Sequence, residues 1–179
     1  MDRLPFQATQ AGAAYDQMGA LPVCVLLDNV RSLYNVGAFF RTADAAGIEK
    51  LHLCGITGSP PKPGIGKTAL GSEQTVRWEY AWDPLPAAAD LRARGYEIAA
   101  VETSVHAVDL FEWRPRFPVC VVFGHEVEGI RPPLSTFCDT HVRIPMRGAK
   151  HSLNVATAGG VVLYELLRKY RALAVPRRS

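Results

Sequence analysis

Short apolar runs of strand length recur along this chain: PVCVLLD at 22–28, KLHLCG at 50–55, YEIAAVE at 96–102 and PVCVVFG at 118–124. A strand with one face in water alternates polar and apolar residues, whereas a strand covered on both faces reads as a nearly continuous apolar run. PVCVLLD and PVCVVFG are of the second kind, which places them inside a parallel sheet with helices on both sides. Helical patterns lie between the runs. VGAFFRTADAAG (36–47) has apolar residues at 36, 39, 40 and 43 and a glycine stop at Gly47. PLPAAADLRARG (84–95) closes on Gly95, and LNVATAGGVVLYELLRKYRAL (153–173) predicts a long terminal helix despite Gly159 and Gly160. HVRIP (141–145) predicts a further short strand, and GITGSPPKPGIG (55–66) a turn-rich loop. The alternation predicts an α/β fold, a mainly parallel sheet flanked by helices. Residues 1–20 read as a leader segment, 21–173 as a single domain and 174–179 as a basic tail.

Composition excludes several classes. No stretch approaches the roughly 20 apolar residues that span a bilayer, so no membrane partner is expected. The first residues, MDRLPFQATQ, lack the charged and apolar regions of a signal peptide, which predicts a cytoplasmic protein. Cys24, Cys54, Cys120 and Cys138 form no CxxC pair and read as reduced structural thiols. The net charge is +3, yet residues 141–179 carry Arg143, Arg147, Lys150, Arg168, Lys169, Arg171, Arg177 and Arg178 against the single acid Glu165. Charge alone fits a solubilising segment or a phosphate-binding footprint equally well.

Three tempting motifs fail on their spacing. PGIGKT (63–68) would need a glycine at position 61 to be a phosphate loop, and Pro61 removes a backbone donor there. HEVEG (125–129) begins like a zinc-protease helix, but Gly129 stands where the second histidine belongs, and the glycines suggest a tight loop. Ser104 and His106 lack the elbow of a nucleophilic serine and read as turn residues.

Ligands of open parallel sheets bind where strands end at their carboxyl edge. Four loops leaving strands there are unusual: DNVRSLYN (28–35), ETS (102–104), GHEVEG (124–129) and PMRGAKHSLN (145–154). Glycine lets backbone approach a ligand closely, which suits Gly124 to a cofactor loop. Ile144, Met146 and Leu153 suit the wall of an apolar pocket, with plain core as the other reading. Arg41 lies on a helix of mainly small and apolar residues and invites an anionic partner, a salt bridge with Glu126 or Asp44 being the structural alternative. Asn35 fits a helix N-cap, and Ser152 and Asn154 fit the same role before the last helix. Glu126 is placed to orient Arg41 or Asn35. Arg31, Arg147, Lys150 and His151 share these loops and suit contacts with a phosphate backbone.

Three of these segments, in order, resemble the signature of the SpoU (TrmH-like) RNA ribose methyltransferases of the SPOUT superfamily. They are Asn35, Gly37 and Arg41 in YNVGAFFRTADAAG; Gly124, Glu126 and Gly129 in VVFGHEVEGI; and Ile144, Pro145, Met146, Ser152, Leu153, Asn154 and Ala156 in IPMRGAKHSLNVATAGG. With ALGSEQTVRWEY (69–80) the likeness spans roughly residues 22–170. The resemblance implies a C-terminal deep trefoil knot, an obligate homodimer, and transfer of a methyl group from S-adenosyl-L-methionine to a ribose 2′-hydroxyl in RNA. It implies that Glu102 and Thr103 line the cofactor pocket with Gly124, Ile144, Met146, Ser152 and Leu153. It also implies catalytic work for Arg41, Asn35, Glu126 and Asn154. The short N-terminal segment favours tRNA over rRNA. Base methylation on the same fold and a non-catalytic RNA-binding module are the alternatives, the second disfavoured by Arg41, Asn154 and the cofactor loops. Displacement at a sulfonium methyl needs no metal and no covalent enzyme intermediate, only alignment and removal of the hydroxyl proton. Guanidinium does not readily give up its proton, so Arg41 suits charge stabilisation and the proton acceptor stays unassigned. The basic C-terminal segment predicts RNA affinity that falls steeply with ionic strength. Filter binding across a salt series checks this, and a flat response removes the phosphate-binding reading.

Overall fold

Successive residues of a strand point to opposite faces, and the first strand, β1 (Leu21–Asp28), uses both for burial. Val23, Val25 and Leu27 enter one core while Cys24 and Leu26 enter another, all 0–1% exposed. The computed structural model describes residues 19–174; residues 1–18 of the expected leader and 175–179 of the expected tail lie outside them. After β1 come α1 (Leu33–Ala46), β2 (Ile48–Cys54), α2 (Pro63–Ala69), a 3-10 turn (Ser72–Gln74), β3 (Trp78–Ala81) and α3 (Pro84–Ala93). The second half contains β4 (Glu97–Val101), β5 (Val108–Asp109), β6 (Val119–Phe123), α4 (Leu134–Phe137), β7 (Thr140–Arg143) and α5 (Val155–Ala174). The strands form one seven-stranded sheet in the order β3-β2-β1-β6-β4-β7-β5. Every neighbouring pair is parallel, as the apolar runs predicted. Phe39 and Phe40, Ile65 and Ala69, and Val162, Leu163 and Leu166 place α1, α2 and α5 over one face. Ala88, Leu91 and Leu134 place α3 and α4 over the other.

Several boundaries differ from the sequence reading. Helix α1 starts at Leu33, because Ser32 is extended (φ −75°, ψ 115°) and its hydroxyl accepts from the Asn35 amide at 3.3 Å. Asn35 therefore sits inside the first turn and is not the N-cap. The helix ends as expected on left-handed Gly47. The loop read over 55–66 gives way to α2 at Pro63, a residue suited to a first helical position. Tertiary contact decides this in spite of two glycines: a Cβ at Gly37 would lie 2.1 Å from Thr68 Oγ1 and 2.3 Å from the Ile65 carbonyl, so α1 and α2 pack with almost no space between them. Two strands escaped the reading. β3 is four residues at the sheet edge, two of them exposed, and β5 is two residues long.

Part of the basic C-terminal segment is structural. Arg168 binds Glu165 through Nε at 2.7 Å and Nη2 at 2.8 Å. Lys169 Nζ donates to the carbonyls of Leu110 at 2.7 Å and of Trp113, tying α5 to the loop after β5. Arg177 and Arg178 lie outside the described residues. Cys24, Cys54 and Cys120 are buried free thiols, and burial pushes Cys24 and Cys54 up to about 12. Cys138 is only half-buried. Among the described residues no helix is long and apolar enough to cross a membrane.

Helix α5 packs on α1 through Gly159, where a Cβ would lie 2.3 Å from Phe39 Cε1. Phe39 is 1% exposed and its ring centroid is 5.1 Å from that of Phe123, so it has nowhere to move. Around Gly160 nothing lies within 4 Å of the same position. Neighbouring substitutions should therefore act with opposite sign. Gly159→Ala is expected to cost about 1–3 kcal/mol through overpacking, and Gly160→Ala to stabilise by roughly 0.5–1 kcal/mol through helix propensity. Denaturant melts of the two variants check this, and equal effects would refute the packing account.

Candidate active site at the carboxyl edge of the sheet

The loop after β1 is fixed by short polar side chains that the sequence reading passed over. Thr57, 3% exposed, donates to the Leu27 carbonyl at 3.0 Å and accepts from the Val30 amide at 3.0 Å. Asn29 is left-handed (φ 58°), and its Oδ1 accepts from the Ile56 amide at 3.1 Å. Polar residues bordering a glycine turn are the only sequence signal for this clamp. It delivers Arg31 and Ser32 to the start of α1.

On the other side of the site, β6 ends in the 124–129 loop. His125 and Gly129 exchange backbone hydrogen bonds of 3.1 and 2.9 Å, and Gly129 is left-handed (φ +68°). His125 Nδ1 accepts from the amides of Val127 at 3.1 Å and Glu128 at 3.2 Å. The segment is thus the tight loop that its glycines suggested. Gly124 is essential to it, because a Cβ there would lie 2.3 Å from the carbonyl carbon and oxygen of Gly129. Glu102, at the end of β4, accepts from the Ile130 amide at 2.7 Å and pins the far end of the loop. His141 Nδ1 lies 3.8 Å from the same carboxylate.

Between these loops and the 144–154 segment lies a cavity of about 500 Å³. All seven residues expected to hold a cofactor line it: Glu102, Thr103, Gly124, Ile144, Met146, Ser152 and Leu153. Leu153 is 38% exposed, which removes its plain-core reading, while Ile144 is half-buried against the main core. Glu126, His151 and Asn154 line the cavity too.

A chain of polar contacts joins its walls. The Glu126 carboxylate accepts from the amides of Arg31 at 3.2 Å and Ser32 at 3.1 Å and from Asn35 Nδ2 at 3.1 Å. Partial burial pushes Glu126 up, but these donors and its own amide outweigh burial and hold it below the usual carboxylate range. Asn35 Oδ1 accepts from Asn154 Nδ2 at 3.2 Å. Asn154 Oδ1 in turn accepts from the amides of Ala156 at 2.9 Å and Thr157 at 3.3 Å, capping α5 as expected. Ser152 makes no such cap. Glu126 therefore orients Asn35 and leaves Arg41 alone, and Asp44 is occupied by Thr75 Oγ1 at 2.7 Å. Arg41 is exposed on α1 and has no ion pair among the described residues, which removes the alternative of a structural salt bridge with Glu126 or Asp44. Arg31, Arg147 and Lys150 are exposed and stand outside the cavity wall.

Known proteins resemble this chain in sequence and fold. The model of the SpoU rRNA Methylase family matches residues 22–164. A tRNA (guanosine(18)-2'-O)-methyltransferase of Aquifex aeolicus is 34% identical over 145 residues, covering 81% of this chain and 68% of that protein. The crystal structure of the A. aeolicus TrmH/SpoU tRNA modifying enzyme matches with a TM-score of 0.79 at 30% identity, over 87% of this chain and 79% of that one. The SpoU methyltransferase AviRb of Streptomyces viridochromogenes, in complex with the cofactor AdoMet, matches with a TM-score of 0.74 at 28% identity. It covers 82% of this chain, which spans 57% of AviRb. With a family match over most of its length and these likenesses behind it, the chain belongs to the SpoU rRNA methylase family.

Proposed function

We propose that this chain transfers a methyl group from S-adenosyl-L-methionine to a ribose 2′-hydroxyl of RNA. The polar chain Glu126–Asn35–Asn154 carries this reading, because it joins the three sequence motifs around one cavity. The cavity suits the cofactor: about 500 Å³ lies within the range of small-molecule sites, and Ile144, Met146 and Leu153 give it apolar walls. Gly124 adds a backbone surface where a side chain has no room. When bound, S-adenosyl-L-methionine supplies an electrophilic methyl on a sulfonium. Gly124, Ile144, Met146, Ser152, Leu153 and the Glu102–Thr103 turn hold it. Glu126, Asn35 and Asn154 keep those walls in register with α1, and Arg41 stabilises negative charge developing at the 2′-oxygen. Arg31, Arg147, Lys150 and His151 face the RNA backbone. Likeness to a tRNA-modifying relative favours tRNA over rRNA as the substrate.

Three further readings belong to the same proposal. The C-terminal part is threaded as a deep trefoil knot, supported by β6 lying between β1 and β4 and β7 lying between β4 and β5. The working unit is a homodimer, supported by the exposed Tyr34 and Tyr164 on the helix-covered side of the sheet that carries α1 and α5. The protein works in the cytoplasm, where free thiols such as Cys24, Cys54 and Cys120 stay reduced.

Incubation with tritiated cofactor and tRNA, followed by digestion to nucleosides, is expected to place the label on ribose; label on a base would overturn the reading. Arg41→Ala is expected to lower the rate by about 10²–10³-fold with cofactor affinity by calorimetry unchanged. Activity within a fewfold of wild type would remove Arg41 from the chemistry.

A further inference from the structure

Five titratable side chains line the cavity: Glu102, His125, Glu126, Glu128 and His151. Four of them are engaged. Glu102 receives the Ile130 amide, and His125 Nδ1 receives two amides. Glu126 receives two amides and Asn35, and Glu128 lies 3.3 Å from Arg131. His151 alone among them has no hydrogen bond or ion pair within the described residues, and it is exposed at the mouth of the cavity, where a polymer substrate can reach. It directly precedes Ser152, Leu153 and Asn154, so the backbone that forms the cavity wall also carries the imidazole.

We propose that His151 accepts the proton of the ribose 2′-hydroxyl during methyl transfer. The assignment rests on the methyl-transfer reading above and supplies the proton acceptor that Arg41 is chemically unsuited to be. As the 2′-oxygen bonds to the methyl carbon, the carbon–sulfur bond breaks and its electron pair stays on sulfur. The hydroxyl proton passes to a ring nitrogen of His151 and is later released to solvent. The titratable and charged groups on its own loop are Arg147 and Lys150, and those that line the same cavity are His125, Glu126 and Glu128 on the 124–129 loop and Glu102 after β4. A protonated imidazole has no lone pair to offer, so transfer must slow as pH falls.

Single-turnover methylation of tRNA at saturating cofactor and RNA, measured across pH for wild type, His151→Ala and His151→Gln, tests the assignment. The wild-type rate is expected to fall as pH is lowered and to level off as it is raised. In both variants the plateau is expected to fall by about 10²-fold and the rising limb to disappear. Added imidazole is expected to restore part of the His151→Ala rate. Cofactor affinity by calorimetry is expected to stay at its wild-type value, and saturating RNA removes from the comparison whatever RNA affinity the His151 backbone contact supplies. Variants that keep the limb and a rate within a fewfold overturn the assignment, as do variants that lose RNA affinity while transferring normally at saturation; those results make His151 a backbone contact only. Wild type that labels a base rather than ribose would instead bring down the underlying reading, a result distinct from either.

Discussion

The carboxylate of Glu126 holds three distant parts of the chain in one place. It sits at the amino end of α1, where unpaired backbone amides and the helix dipole favour negative charge, and it takes the Arg31 and Ser32 amides together with Asn35. Through Asn35 the constraint passes to Asn154 and so to the start of α5. The residues involved are about 90 to 120 positions apart in sequence. An anion favoured by a helix terminus thus sets the distance between the loop that ends β6 and the helices that cover the sheet, and the cavity is what remains between them.

That arrangement needs α1 to lie closer to its neighbours than most helices do. Gly37 and Gly159 remove the side chains that would hold α2 and α5 away. Gly124 does the same inside the loop that presents Glu126. Glycine at these three positions costs backbone entropy, and close packing returns more than that cost only because the partners, Phe39 above all, are immobile.

The sequence makes the sheet legible because burial on both faces leaves a local mark, the unbroken apolar run. Strand order leaves none: that β6 lies between β1 and β4 follows from long-range pairing, which no window of residues records. α2 was hidden for the opposite reason. Its proline and two glycines argue locally for a loop, and only contact with α1 makes it a helix. At the site, the cavity wall was readable from glycines and apolar residues at strand ends. At Asn35 the apolar pattern marked the start of the helix too late: Ser32, three residues earlier, takes the cap, and Asn35 is released to bridge Glu126 and Asn154. The basic C-terminal segment misled in part, since charge counts do not separate Lys169, spent on backbone carbonyls, from Lys150, which faces solvent.

Two demands meet at a ribose hydroxyl that becomes a methyl ether: its proton must leave, and negative charge must be tolerated as it does. One side chain serves both poorly. A group that stays cationic at every working pH stabilises the oxygen but takes no proton, and a group that takes the proton must start neutral and so offers little charge. In the proposed mechanism the two tasks fall to different residues. Arg41 stands on α1, fixed by the packing of three helices, where a permanent charge gains from being held still. His151 stands on the loop before α5, where a group that must gain and then shed a proton has contact with solvent. The Glu126–Asn35–Asn154 chain joins the start of α1 to the loop before α5. In the proposed mechanism that chain fixes the loop that carries His151 relative to the helix that carries Arg41.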